Sequence, residues 1–184
     1  MINMKEFKPA FRFLAVFLGL YMGLNIVYGL WISSYENQPD PATRIVTEQT
    51  SWWLNLFGEE TKPQPNQAAP TVSIMKDSRV ALSVFEGCNS INVMIVFVAF
   101  LFAFKGRGKS MAWFLPLGLV LIYIANLARV ILLYYVAEYW RQYFYYIHKY
   151  FFTAAIYLIV FILWWWWIEK ISGVSLKKIT TGKS

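Results

Sequence analysis

The sequence predicts an all-α membrane protein, with four transmembrane helices and a long outer loop between the first and the second. Three observations predict it. The chain is 58% hydrophobic and only 15% charged, with a mean hydropathy of +0.44, which is more apolar surface than a soluble domain of this length can hide. Apolar runs stand at 13–32, 88–104, 111–137 and 150–168, each long enough or nearly so for a hydrocarbon core of roughly 30 Å. The basic residues behind the net charge of +7 sit in short flanks between these runs. No basic stripe with interleaved aromatics is present, so the charge reads as a topology signal and nucleic acid is excluded as a partner. The whole chain, 1–184, reads as a single membrane domain in the lipid bilayer.

The first run, Phe13 to Ile32, carries no charge and ends in Trp31-Ile32-Ser33-Ser34-Tyr35 without a small-x-small cleavage site. It is expected to be a retained helix and not a signal peptide. The outer loop, about 33–87, opens with Pro39 and Pro41, which predict a turn. From Ala42 to Phe57 the spacing of Ile45, Val46, Trp52, Trp53, Leu54, Leu56 and Phe57 predicts an amphipathic helix. It fits equally an interfacial helix lying on the membrane and part of a small soluble cap. Lys62-Pro63-Gln64-Pro65-Asn66-Gln67 is expected to break regular structure, and Thr71 to Phe85 to form a hairpin-like pair of short strands.

The second run leads into a tight basic loop, Lys105-Gly106-Arg107-Gly108-Lys109. The third has Pro116 as an expected kink and holds Asn126 and Arg129. A polar, aromatic stretch from Glu138 to Lys149 follows, with His148 at the entry to the fourth helix. The fourth run closes on Trp164-Trp165-Trp166-Trp167, expected as an interfacial aromatic belt. Four spans place both termini on one side. Ten basic residues lie there against seven on the other, so the positive-inside rule makes the termini cytoplasmic and the long loop external.

A rise of about 1.5 Å per residue then sets depths. Cys88 precedes Lys105 by 17 residues, roughly 25 Å of helix. Arg129 follows Lys109 by 20, roughly 30 Å, and His148 precedes Glu169 by 21. The only cysteine, the only histidine and the one arginine within a span therefore meet at the outer level of the membrane. One cysteine and one histidine exclude a disulfide within the chain and a Cys-based or zinc centre, and no cofactor is implied.

Each residue type has a chemical reason to be at this level. A thiolate is the attacking form of cysteine, favoured by a helix N-terminus and a nearby cation. His148 suits a general base and then acid. Arg129 suits an oxyanion or carboxylate clamp. Asn126 stands one turn before Arg129, where it can orient the guanidinium or supply a donor. Glu86 and Asn92 complete the supporting candidates, with Glu86 expected to raise the thiol pKa. Gly87 leaves room for a close backbone approach. Taken singly, Arg129 reads equally as an interfacial anchor, His148 reads first as an ordinary interfacial residue, and Asn126 also reads as a helix-packing contact.

In Glu86-Gly87-Cys88-Asn89-Ser90, Asn126-Leu127-Ala128-Arg129 and His148 the chain resembles the exosortase/archaeosortase family of membrane cysteine transpeptidases, most closely its F branch in Bacteroidota. The resemblance covers roughly 85–167. It departs after the cysteine, where many members have Cys-Ser-Gly and a basic residue, and it has about half their number of spans. It implies a catalytic trio of Cys88, Arg129 and His148 at the periplasmic face of a bacterial inner membrane. It also implies a thioester intermediate, a membrane-anchored protein substrate with a C-terminal sorting signal, and room for an accessory membrane protein. The alternative is a non-catalytic scaffold or subunit of an export or polysaccharide assembly system. A small transporter fits less well, because the ionisable residues cluster at one level.

Overall fold

The computed structural model describes residues 4–36, 38–66, 69–104 and 108–171. Helix α1 runs Met4–Ser33 and α2 Pro41–Leu56. Strands β1 Thr61–Pro65, β2 Thr71–Lys76 and β3 Arg79–Phe85 follow. Then come α3 Ile91–Ala103 and α4 Gly108–Tyr139, and a last continuous helical stretch, α5, over Arg141–Ile171. Three of these, α1, α4 and α5, are long and apolar enough to cross a membrane. The remaining expected span, 88–104, forms a helix of only 13 residues, roughly 20 Å at 1.5 Å per residue. Among the described residues the helices of membrane-spanning length therefore number three, where four were expected. α3 packs against α1, α4 and α5. Half of the ten basic residues used to orient the chain, Lys105, Arg107, Lys177, Lys178 and Lys183, lie outside the described residues.

The expectation of an all-α fold is corrected by an antiparallel sheet of order β1-β2-β3. The hairpin anticipated over 71–85 is β2 and β3. The break anticipated at Lys62–Gln67 is instead largely strand β1. Proline is tolerated in a strand where its nitrogen faces away from the partner, and the register shows that it does. The Asn66 N–H donates to the Thr71 carbonyl at 2.9 Å, and Gln64 stands opposite Ser73. Backbone groups alternate sides along a strand. Pro63 and Pro65 therefore turn their nitrogens to the free outer edge of β1.

Asp40 caps α2 by accepting the Thr43 N–H at 3.0 Å, with Pro41 at the first helical position. This helix buries Thr43, Val46, Thr47, Thr50, Ser51 and Leu54. The buried hydroxyls are satisfied: Thr47 and Thr50 donate to carbonyls one turn back at 2.7 Å, and Ser51 meets Thr61 at 2.8 Å. Ile45, Trp52, Trp53, Leu56 and Phe57 point outward. The helix thus covers the sheet with its threonines and keeps its aromatic stripe exposed.

The sheet is tied to α4 at its far end. Glu59 accepts from Lys76 at 2.7 Å and from Tyr134 at 2.8 Å, while Arg79 pairs with Glu138. Those two donors hold the Glu59 carboxyl below its ordinary range. One apolar cluster joins sheet, α2 and α4 through Ile74, Leu82, Val84, Val130 and Leu133. A second, of Phe97, Leu101, Phe114, Val160, Leu163 and Trp167, holds α3, α4 and α5 together. The tryptophan run is split by it: Trp167 is fully buried against Phe114 and Trp164 stacks on Phe100, while Trp165 is exposed. α4 continues through Pro116 without interruption.

Gly118 makes this second cluster possible. A Cβ there would lie 2.2 Å from the ring of Phe97, itself fully buried. Gly118→Ala is expected to lower stability by about 1–3 kcal/mol through overpacking, read as a lower melting temperature of the detergent-solubilised protein. An unchanged or higher melting temperature would show that Phe97 has room to retreat.

Candidate active site

Cys88 ends a single 3-10 turn, Glu86–Cys88, between β3 and α3. It does not head α3. Asn89 and Ser90 intervene, and Ser90 adopts a left-handed backbone with φ of 69°. The expected help from a helix N-terminus is therefore displaced from the sulfur. Cys88 is 4% exposed and sits among the apolar residues that join the sheet to α4. Burial pushes its thiol above the ordinary range, while the Arg129 cation and the Phe85 backbone N–H pull it down.

The three residues placed at one depth by helical rise are in contact. His148 Nε2 lies 3.8 Å from Cys88 Sγ and 3.4 Å from Arg129 Nη2. A guanidinium only donates. With Arg129 donating to it, Nε2 is the acceptor nitrogen and Nδ1 carries the imidazole proton. His148 belongs to a π-helical turn, Ile147–Phe151, inside α5. The helix therefore begins at Arg141, upstream of the expected start near Tyr150. The wider turn changes the direction of its side chains, a feature often found at functional sites. The imidazole stacks on Phe144 at 5.6 Å and meets the edge of Phe85 at 6.4 Å. Among the described residues the buried Arg129 Nε has no hydrogen-bond partner.

Asn126, fully buried, donates from Nδ2 to the Cys88 carbonyl at 2.7 Å. It holds the cysteine backbone; of the two expected roles, orienting Arg129 or supplying a donor, this contact is a donor's. Gly87 serves a side chain and not a backbone approach: a Cβ there would lie 2.3 Å from the Phe85 ring. Asn92 is exposed and does not line the cavity at Cys88.

Sequence reasoning passed over Asn89. Its Nδ2 donates to Tyr28 Oη at 2.9 Å and lies 3.5 Å from Thr43 Oγ1, and its Oδ1 accepts the Ile91 N–H at 3.0 Å. One side chain thereby ties the segment after Cys88 to α1, α2 and α3. Its position beside the cysteine was the available signal, and its three partners were not.

A cavity of about 100 Å³ opens beside the sulfur, walled by β3 residues 82–85 on one side and by Val130, Leu133, Phe144 and His148 on the other. Among the described residues no group of three or more His, Cys, Asp or Glu is placed to hold a metal ion. What the arrangement can do is nucleophilic chemistry. It combines a thiol, a ring nitrogen beside it, and a cation in contact with that nitrogen.

The family model described as transmembrane exosortase matches residues 8–166, which takes in α1 and the sheet as well as the site. No curated protein and no solved structure matches the chain.

Proposed function

The chain belongs to the transmembrane exosortase family, and on that premise we propose that it is a membrane cysteine transpeptidase acting on membrane-anchored proteins. The observation that carries the reading is the meeting of Cys88 Sγ, His148 Nε2 and Arg129 Nη2 within 3.8 Å of one another along the chain of contacts. In the proposed reaction Arg129 Nη2 releases His148 Nε2 and turns to the substrate, and the freed lone pair of Nε2 takes the thiol proton as Cys88 Sγ attacks the scissile carbonyl carbon. The resulting oxyanion is held by the Arg129 guanidinium, whose buried Nε–H has no acceptor among the described residues. His148 returns the proton to the leaving nitrogen as the C–N bond breaks. The exported part of the substrate stays on Cys88 as a thioester, and the C-terminal anchor leaves with the new amine. An acceptor amine or water then attacks the thioester carbonyl, and the S–C bond breaks to regenerate the thiol.

The site is proposed to face the periplasm of a bacterial inner membrane, with both termini cytoplasmic and α3 returning the chain through the bundle. The substrate's C-terminal sorting signal is proposed to enter beside β3, and the F branch of the family is the proposed affiliation. The thioester gives a direct test. Cells expressing the chain with a substrate bearing a motif, a transmembrane helix and a basic tail are quenched in acid. An adduct on Cys88 that hydroxylamine releases is expected by mass spectrometry. Substrate cleavage without any adduct on Cys88 would remove the covalent mechanism.

A further inference from the structure

The two edges of the sheet are built differently. On β1 the outward nitrogens belong to Pro63 and Pro65, so that edge offers no donors there and resists pairing. β3 has no proline and, within the sheet, pairs only with β2. Its alternation can be read from the same register. Thr71 directs its carbonyl to Asn66 on the β1 side, so its partner Phe85 forms a non-hydrogen-bonded pair with it. Ser83, two residues earlier and opposite Ser73, shares that parity. The short Ser73 Oγ to Ser83 Oγ approach of 3.3 Å fits the closer side chains of such a pair. Ser83 and Phe85 therefore turn their backbone groups away from β2. Residues 82–85 of β3 wall the same cavity as the Cys88 sulfur.

We propose that the free edge of β3 is the substrate-binding template: an extended polypeptide segment adds to it as a fourth strand, hydrogen-bonded to the Ser83 N–H and C=O, and so carries its scissile carbonyl to Cys88. A strand added there lies about 4.8 Å from β3, and one residue advances it about 3.3 Å. The sulfur, near Phe85, is thus about two residues along from the position held by Ser83. This deepens the proposed reading and rests on it for direction. β3 enters the bundle at its C-terminal end, as the segment before a C-terminal membrane anchor would, so the added strand runs parallel to β3. Recognition through backbone groups constrains conformation first. The narrow cavity then restricts the side chain nearest the sulfur to a small one.

The test uses membranes holding the full chain and, because Cys88 is the only cysteine, reads alkylation from the whole-chain mass. The probes are acetyl-tetra-alanyl chloromethyl ketone, its four singly N-methylated analogues, and iodoacetamide as a small control. Ser83→Pro removes the outward N–H while leaving the β2 ladder its donors. It is expected to slow the peptidyl probe about tenfold, the loss of one or two hydrogen bonds, with the iodoacetamide rate unchanged. On the wild-type chain, N-methylation is expected to slow labelling at alternate residues only. A flat N-methyl scan, or a peptidyl rate indifferent to Ser83→Pro, would overturn the proposal. A flat scan with the thioester still formed would reject the strand while leaving the reaction standing. An alternating scan without a thioester would keep the strand and reject the reaction.

Discussion

Cys88→Ala is expected to abolish substrate processing, by about 10³-fold or more and down to background, while the protein stays in the membrane at wild-type abundance. The second half of that expectation comes from the fold. Cys88 is buried in the cluster between the sheet and α4, so its removal costs some stability. Only one atom is lost, however, and the costs of single-methylene deletions, about 0.5–1.5 kcal/mol, bound the effect. The anchors around it are untouched, because Asn126 binds the Cys88 carbonyl and Asn89 holds the residues that follow. Cys88→Ser keeps a hydroxyl at the same place and separates nucleophilicity from packing. A serine there has no low-energy route to an oxyanion at neutral pH with the base 3.8 Å away, and it is expected to process substrate no better than Cys88→Ala. Processing is measured as the loss of the substrate's C-terminal segment on a gel, with abundance from the same membranes. Undiminished processing in Cys88→Ala would sink the enzyme reading and favour the scaffold.

Much of this site was legible because helical rise is a one-dimensional rule. Counting from the basic loop and from Glu169 places Cys88, Arg129 and His148 at one level, and the structure puts them in contact. Rotation about each helix is not in that count. Whether Asn126 faces Arg129 or Cys88 depends on how α4 turns against the segment before α3, and only packing decides it. The π turn at Ile147–Phe151 is illegible for the same reason, since nothing in Ile147-His148-Lys149-Tyr150-Phe151 distinguishes it from an ordinary helical turn.

The segment between α1 and α3 shows a different limit. The spacing that predicted α2 was real, yet the helix turns its threonines inward and its aromatics outward. Apolar periodicity says which residues share a face and not which neighbour that face meets, a choice that depends on whether lipid or water surrounds the molecule. Pro63 and Pro65 were read as breakers because proline usually is one. In an edge strand with the nitrogens outward they instead mark which edge is closed, and that is visible only once the register is known.

Arg129→Ala carries the second large effect, and it separates two roles of one side chain. As holder of the oxyanion, Arg129 is expected to contribute about 10²–10³-fold to the rate, the usual loss when one such donor is removed. Arg129→Lys keeps a charge but not the planar fork whose Nη2 meets His148 and whose Nε stands free. It is expected to recover only part of that loss. The second role is electrostatic and can be read without substrate. Burial raises the Cys88 thiol pKa, and the Arg129 cation opposes that rise. Removing the cation must therefore raise it further. The thiolate is the reacting form, so its fraction at any pH below the midpoint falls as the pKa climbs. In wild type the iodoacetamide rate is expected to keep rising with pH beyond the range of an ordinary thiol. In Arg129→Ala the whole profile is displaced to higher pH, and reaction at neutral pH is slower. The direction is what matters: a profile displaced to lower pH, or one left in place, would show that the guanidinium does not act on the sulfur. If processing nevertheless fell in such a case, Arg129 would serve the oxyanion alone. If neither moved, its contact with His148 would be packing, and the site would need another source of positive charge.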